Sequence, residues 1–311
     1  MRWSGFCPRR LRVQLVSGPA APGKLAAFGP FSPLIPIVMA PSLVVLTDFF
    51  AVSNRALSYA AGLAVPLHAQ LVLLHVRHDG LLAPETYSSL HTRQGERQTT
   101  QALQQLAAEQ PVPAEVDISG ELLPEAVAAA VRQHQPLLLV LGQPGASTVP
   151  PEEITATALE LLRHVPYPLL VVPTVGWDVF PPRRFLLALD GQPFRLFPQP
   201  DVLRQLLAAT AGTLAAVQVA GAEAASADPG AVLETIRVNS LVDELPVGKV
   251  YTVAQSNVAE GILQEASRQA ADVVVVVARR HSLLGSLFHH SVTAQLLREC
   301  PVPVLLLPAE D

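Results

Sequence analysis

Two aspartates and a pair of glycines stand where an α/β chain would place its chemistry. LVVLTDF carries a carboxylate at Asp48 and FLLALDG carries another at Asp190, each directly after an apolar run. In an open parallel sheet, ligands collect beyond the carboxyl ends of the strands, where the strand order reverses. An Asp there serves either as the N-cap of the next helix or as a hydrogen-bonding partner for the polar edge of a ligand. A later apolar run is followed by Gly142 and Gly145 in LGQPGAS. Glycines at that point let backbone N–H groups approach a phosphate near a helix N-terminus, although a plain turn uses them equally. The corresponding stretch further on, ARRHSLLGS, has no glycine at either matching position.

Other reactive types are present without a reactive pattern. His75 and His78, or His281, His289 and His290, suggest a metal at first sight. His289 and His290 are adjacent, however, and adjacent helical residues point about 100° apart. No Cys or carboxylate stands beside them at ligand spacing, so surface or hydrogen-bonded histidines are expected. Arg279, Arg280 and His281 form a small basic patch beside the second site, read as a solvated loop or as a seat for an anion. Cys300, just before Pro301, reads as buried packing, and the serines lack a G-x-S-x-G elbow, which leaves hydrolase chemistry unsupported.

The elements that must position these residues alternate regularly. Leu43 to Leu46, Gln70 to Val76, Ala114 to Ile118, Leu137 to Leu141 and Leu169 to Val172 read as strands. Between them, Ser53 to Val65, Tyr87 to Glu109, Pro124 to His134 and Pro151 to His164 read as helices. A second series follows in the same order, with strands at Phe185 to Leu189, Thr213 to Val219, Val247 to Thr252, Asp272 to Val277 and Val304 to Leu307. Its helices are expected at Pro198 to Ala211, Val232 to Val242, from Asn257 onward in a capping box closed by Glu260, and at Leu283 to Glu299. Alternating strands and helices predict parallel sheets with helices on their faces. The two series even end alike: LLRHVPYPLLVVP (Leu161 to Pro173) and LLRECPVPVLLLP (Leu296 to Pro308) agree at seven of thirteen positions. The chain is one α/β unit written twice.

With 311 residues, half of them hydrophobic and 15% charged, there is material for two cores. A net charge of −5 with scattered Lys and Arg gives no footprint for nucleic acid. Two cysteines, Cys7 and Cys300, fit a reducing compartment. The longest apolar runs fall far short of the roughly 20 residues that span a bilayer. The expectation is a soluble cytoplasmic protein with no membrane partner. Residues 1–38 are rich in Pro, Gly and Arg and lack any sustained period. They read either as a disordered extension or as sequence upstream of a start at Met39. The predicted domains are 39–175 and 184–311, with a linker over 176–183.

Thr47-Asp48-Phe49 after the first strand, LLHV at Leu73 to Val76, and the two Pro-X-Pro endings together resemble the universal stress protein family in its two-copy form. The resemblance covers Leu43 to Pro308. It implies two tandem doubly wound five-stranded parallel sheets, Rossmann-like and similar to the adenine nucleotide alpha hydrolases, joined as an internal pseudo-dimer with a homodimer as a further option. It also implies a non-enzymatic role through association, or, as the alternative, an ATP-binding switch in the first half. By this resemblance Thr47, Asp48 and Val76 line a base site, and Gly142 and Gly145 match the first two glycines of a G-x2-G-x9-G-[ST] phosphate loop. The third glycine falls on Thr155 and the hydroxyl on Ala156, so any ATP is held weakly there. In the second half Asp190 and Ser291 remain, while Ala278 and His281 replace the glycines. Neither half has an intact nucleotide motif.

Overall fold

The computed structural model describes residues 40–47, 51–77, 93–142, 151–173, 180–220, 229–242, 247–279 and 291–310. The expected N-terminal extension, the first half of the linker (176–179), Asp48, His78, Gly145, and the segment from Arg280 to His290 lie outside them.

In the first half the strands are β1 (Ser42–Leu46), β2 (Gln70–Val76), β3 (Ala114–Ser119), β4 (Leu138–Gly142) and β5 (Leu169–Val172). They alternate with helices α1 (Ala51–Leu67), α2 (Arg93–Ala108), α3 (Leu123–His134) and α4 (Pro151–His164). The second half runs β6 (Arg184–Leu189), β7 (Arg195–Leu196), α5 (Val202–Thr210), β8 (Thr213–Ala220), α6 (Pro229–Val238), β9 (Val250–Ala254), α7 (Val258–Arg268), β10 (Val273–Arg279), α8 (Val292–Glu299) and β11 (Val304–Glu310).

The halves share one sheet, in the order β3-β2-β1-β4-β5-β11-β10-β6-β8-β9. Apart from β7, which pairs antiparallel with β11, each half is parallel and keeps the same internal order, with β1 beside β4 and β6 beside β10. The strands that close the halves meet antiparallel, with Val304 opposite Val171, Leu305 opposite Leu170 and Leu306 opposite Leu169. The apolar endings are thereby joined, and neither closing strand is left bare against water. The two expected five-stranded sheets are therefore blocks of a single continuous one.

Successive strand residues point to opposite faces, and both faces are covered, which explains the uninterrupted apolar runs. Leu43, Val45, Leu71 and Leu73 pack with α1, α2, α5 and α6 on one side. Val44, Leu46, Val72 and Leu74 pack with α3, α4, α7 and α8 on the other. The halves also bond outside the sheet. Gln199 Nε2 donates to Tyr167 Oη at 2.9 Å, and Tyr167 Oη donates to the carbonyl of Pro136. Phe180 stacks edge-on against Tyr59, with centroids 5.3 Å apart, and its ring lies over Gly62 where a Cβ would stand 2.4 Å away.

Several boundaries depart from the sequence reading. Helix α5 begins at Val202 rather than Pro198, because the Phe197 N–H is drawn back to the Pro308 carbonyl at 3.2 Å and Gln199 to the first half. Residues Val247–Lys249 form a 3-10 turn, so β9 starts at Val250. Helix α6 runs Pro229–Val238 instead of Val232 to Val242. Asn257 caps α7 by accepting from the N–H groups of Ala259 and Glu260. That cap is half of the expected box; the Glu260 side chain accepts instead from Gln264 Nε2 at 3.4 Å. No described helix is long and apolar enough to cross a membrane.

Candidate functional site

In each half the first and fourth strands lie side by side while their connections leave in opposite directions. The carboxyl ends of β1 and β4, and those of β6 and β10, are thus the two switch-point mouths.

At the first mouth, the Thr47 N–H donates to Leu74 O at 3.0 Å. Its own carbonyl accepts from His75 Nδ1 at 3.0 Å. A carbonyl has no proton to give, so Nδ1 carries the hydrogen, and this histidine pins the exit of β1. Thr47 is buried, and its hydroxyl has no hydrogen-bond partner among the described residues. A buried hydroxyl left unmatched costs about 1–3 kcal/mol. Continuing the β1–β4 register from Val45 opposite Val140 by two residues sets Thr47 opposite Gly142, which is buried at the end of β4. Val76 ends β2 with its side chain in the core beneath α3 and α4, which leaves its backbone to face a mouth. Thr155, where the phosphate loop would need its third glycine, is buried in α4, and Ala156 is exposed. Asp48 and Gly145 lie outside the described residues.

The second mouth is filled from within. Arg279, the last residue of β10, gives Asp190 a forked ion pair, with Nε to Oδ2 at 2.8 Å and Nη2 to Oδ1 at 2.9 Å. The same guanidinium donates to Pro193 O at 2.9 Å and to Gln192 O at 2.7 Å. It also stands 5.8 Å from the centre of the Phe194 ring. Arg279 is 7% exposed. The reading of Arg279 as part of a solvated loop is corrected: its charge is buried because a carboxylate and two carbonyls converge on it. Asp190 is no helix cap either, since its Oδ1 accepts from Gln192 N at 3.0 Å in a local turn and α5 begins twelve residues later, at Val202. Ser291 does cap a helix, accepting from Ala294 N at 3.0 Å at the start of α8.

The sequence reading found the aspartate and missed its partner, 89 positions away. In the structure 4 residues separate β1 from α1 and 12 separate β6 from α5, whereas the helix bounds expected from the sequence, Ser53 and Pro198, left gaps too similar to show it. Elsewhere, Cys300 is buried and burial pushes its thiol up to about 11, as expected of a packing residue. Among the described residues no group of three or more His, Cys, Asp or Glu side chains could hold a metal.

Comparison with known proteins agrees with this architecture. The model of the universal stress protein family matches residues 39–173 and again 198–308. A universal stress protein from Archaeoglobus fulgidus DSM 4304 is similar in structure, with a TM-score of 0.59 at 15% identity over 86% of this chain and 98% of that one. A functionally unknown protein from Pseudomonas aeruginosa PAO1 is similar with a TM-score of 0.55 at 15% identity, over 87% of this chain and 93% of that one. At such identity these likenesses concern the fold. Among curated proteins none matches the chain significantly. The two matched segments span most of the residues, and the chain belongs to the universal stress protein family.

Proposed function

We propose that the protein is a non-enzymatic stress-response protein that acts by association. Its two domains, residues 39–175 and 184–311 joined through 176–183, serve as one binding body rather than as paired nucleotide switches. The observation that carries this reading is the filled second mouth, where Arg279 takes up the Asp190 carboxylate. The first mouth keeps Thr47, Asp48, Val76, Gly142 and Gly145, but Thr155 and Ala156 stand where a phosphate cradle needs open backbone and a hydroxyl. Nucleotide binding there is therefore weak. A cytoplasmic setting and the capacity to form a homodimer belong to the same proposal.

A second reading, an ATP-binding switch confined to the first domain, is favoured by the buried hydroxyl of Thr47, which has no hydrogen-bond partner among the described residues. Isothermal titration with ATP separates the two, with hydrolysis assayed alongside. The adaptor reading expects a Kd of about 0.1 mM or weaker, no turnover, loss of the heat in Asp48→Ala and no change in Asp190→Ala. Micromolar binding that disappears in Asp48→Ala would install the switch instead. Turnover of ATP, or equal loss in both variants, would sink both readings.

A further inference from the structure

The stretch Asp190 to Phe197 departs from the plan of the first half and falls between the two segments matched by the family model. It leaves β6 through Gly191, at φ +80, where a Cβ would lie 2.0 Å from Gln218 Nε2. It then turns back as β7 and pairs antiparallel with the far end of β11, Leu196 opposite Ala309 and Arg195 opposite Glu310. The stretch is a strap laid across the second mouth.

Its inner side has a definite chemistry. The Asp190 carboxylate offers two oxygens, Gln192 and Pro193 each offer a carbonyl, and Phe194 offers a ring face. Four acceptors disposed around one planar cation suit a guanidinium far better than an ammonium, whose three protons point tetrahedrally. The strap is also held by β7 on β11 and by Asn239, whose side chain accepts from Leu196 N and donates to Phe194 O, while the acceptors on its inner side converge on the one charge that it encloses.

We propose that the second mouth is a guanidinium-binding site occupied by a tethered ligand, the side chain of Arg279, and that the seating of this ligand folds the strap shut. This goes beyond the reading above: it assigns a ligand class to the mouth and makes closure depend on one side chain. The site would receive an external guanidinium once its own was removed.

Hydrogen exchange on the full chain tests this without reference to nucleotide. In Arg279→Ala the amides of Leu196 and Phe197 should exchange at least tenfold faster than in the wild type. Millimolar methylguanidinium should restore most of the protection, and methylammonium at the same concentration should not. Arg279→Lys, which retains the charge, is measured in parallel and should stay as unprotected as the alanine variant, so that poor folding of one variant leaves the other to decide. Unchanged exchange in both variants would overturn the proposal, because the strap would then be held by β11 and Asn239 without the guanidinium. Equal rescue by methylammonium would also overturn it, since a bare charge would suffice.

Discussion

Asp272 stands at the foot of β10 and receives the backbone N–H groups of Arg183 at 2.8 Å and Arg184 at 2.9 Å, with Arg184 Nη2 at 2.7 Å on its other oxygen. Burial alone would raise its pKa, but the Arg184 guanidinium and the two backbone donors outweigh burial and hold the carboxyl below the usual carboxylate range. A depressed folded-state pKa contributes stability that is fully present above the unfolded value of about 3.9 and is lost as pH falls through the folded value. Asp272→Asn is therefore expected to remove about 1–3 kcal/mol at pH 7. Its deficit should shrink as the pH drops below about 4. Urea melts of both proteins at neutral and acid pH check this, and a pH-independent deficit would contradict it. At this scale the sequence was half legible. Asp48 and Asp190 announced themselves by following apolar runs, but Arg184 with Asp272 and Arg279 with Asp190 are partners 88 and 89 positions apart. No local pattern joins residues whose meeting depends on the order of strands.

The strap shows the same limit among elements. Asn239 acts as a strand partner on the inner side of β7: its Oδ1 accepts from Leu196 N at 2.9 Å and its Nδ2 donates to Phe194 O at 2.8 Å. Replacing it with alanine leaves a buried N–H and a carbonyl unmatched, and is expected to cost about 2–3 kcal/mol. Asn257→Ala, which removes only the cap of α7, should cost about 1 kcal/mol. Chemical denaturation of the two variants tests the ranking, and a smaller loss at Asn239 would mean that water replaces the amide without penalty. Strands such as LLLVL were readable because a run covered on both faces needs no polar residue. Two-residue β7 has no period to read and exists because β11 extends past the end of β5, offering an edge at Ala309 and Glu310. The late start of α5 follows from the same tether, since Phe197 is bonded to Pro308 before the helix can begin.

Across the whole molecule, the pairing of β5 with β11, together with the Gln199–Tyr167 bond and Phe180 on Tyr59, ties the halves into one body. Calorimetry of residues 39–311 should give a single cooperative transition. Residues 39–175 and 184–311 expressed apart each bare an apolar edge, and should dimerise or aggregate at micromolar concentration in size-exclusion chromatography. Two separate thermal transitions, or monomeric halves, would show that the shared sheet adds little. The repeated Pro-X-Pro ending made this joint foreseeable, because two strongly apolar closing strands in one chain need each other. Its direction has a further meaning. As β5 and β11 run oppositely, strand polarity reverses midway along the ribbon, and the mouth at Thr47 and the strap at Arg279 occupy opposite rims. On the association reading proposed above, a partner docked on one rim would leave the other unobstructed, and a single copy could bridge two bodies at once.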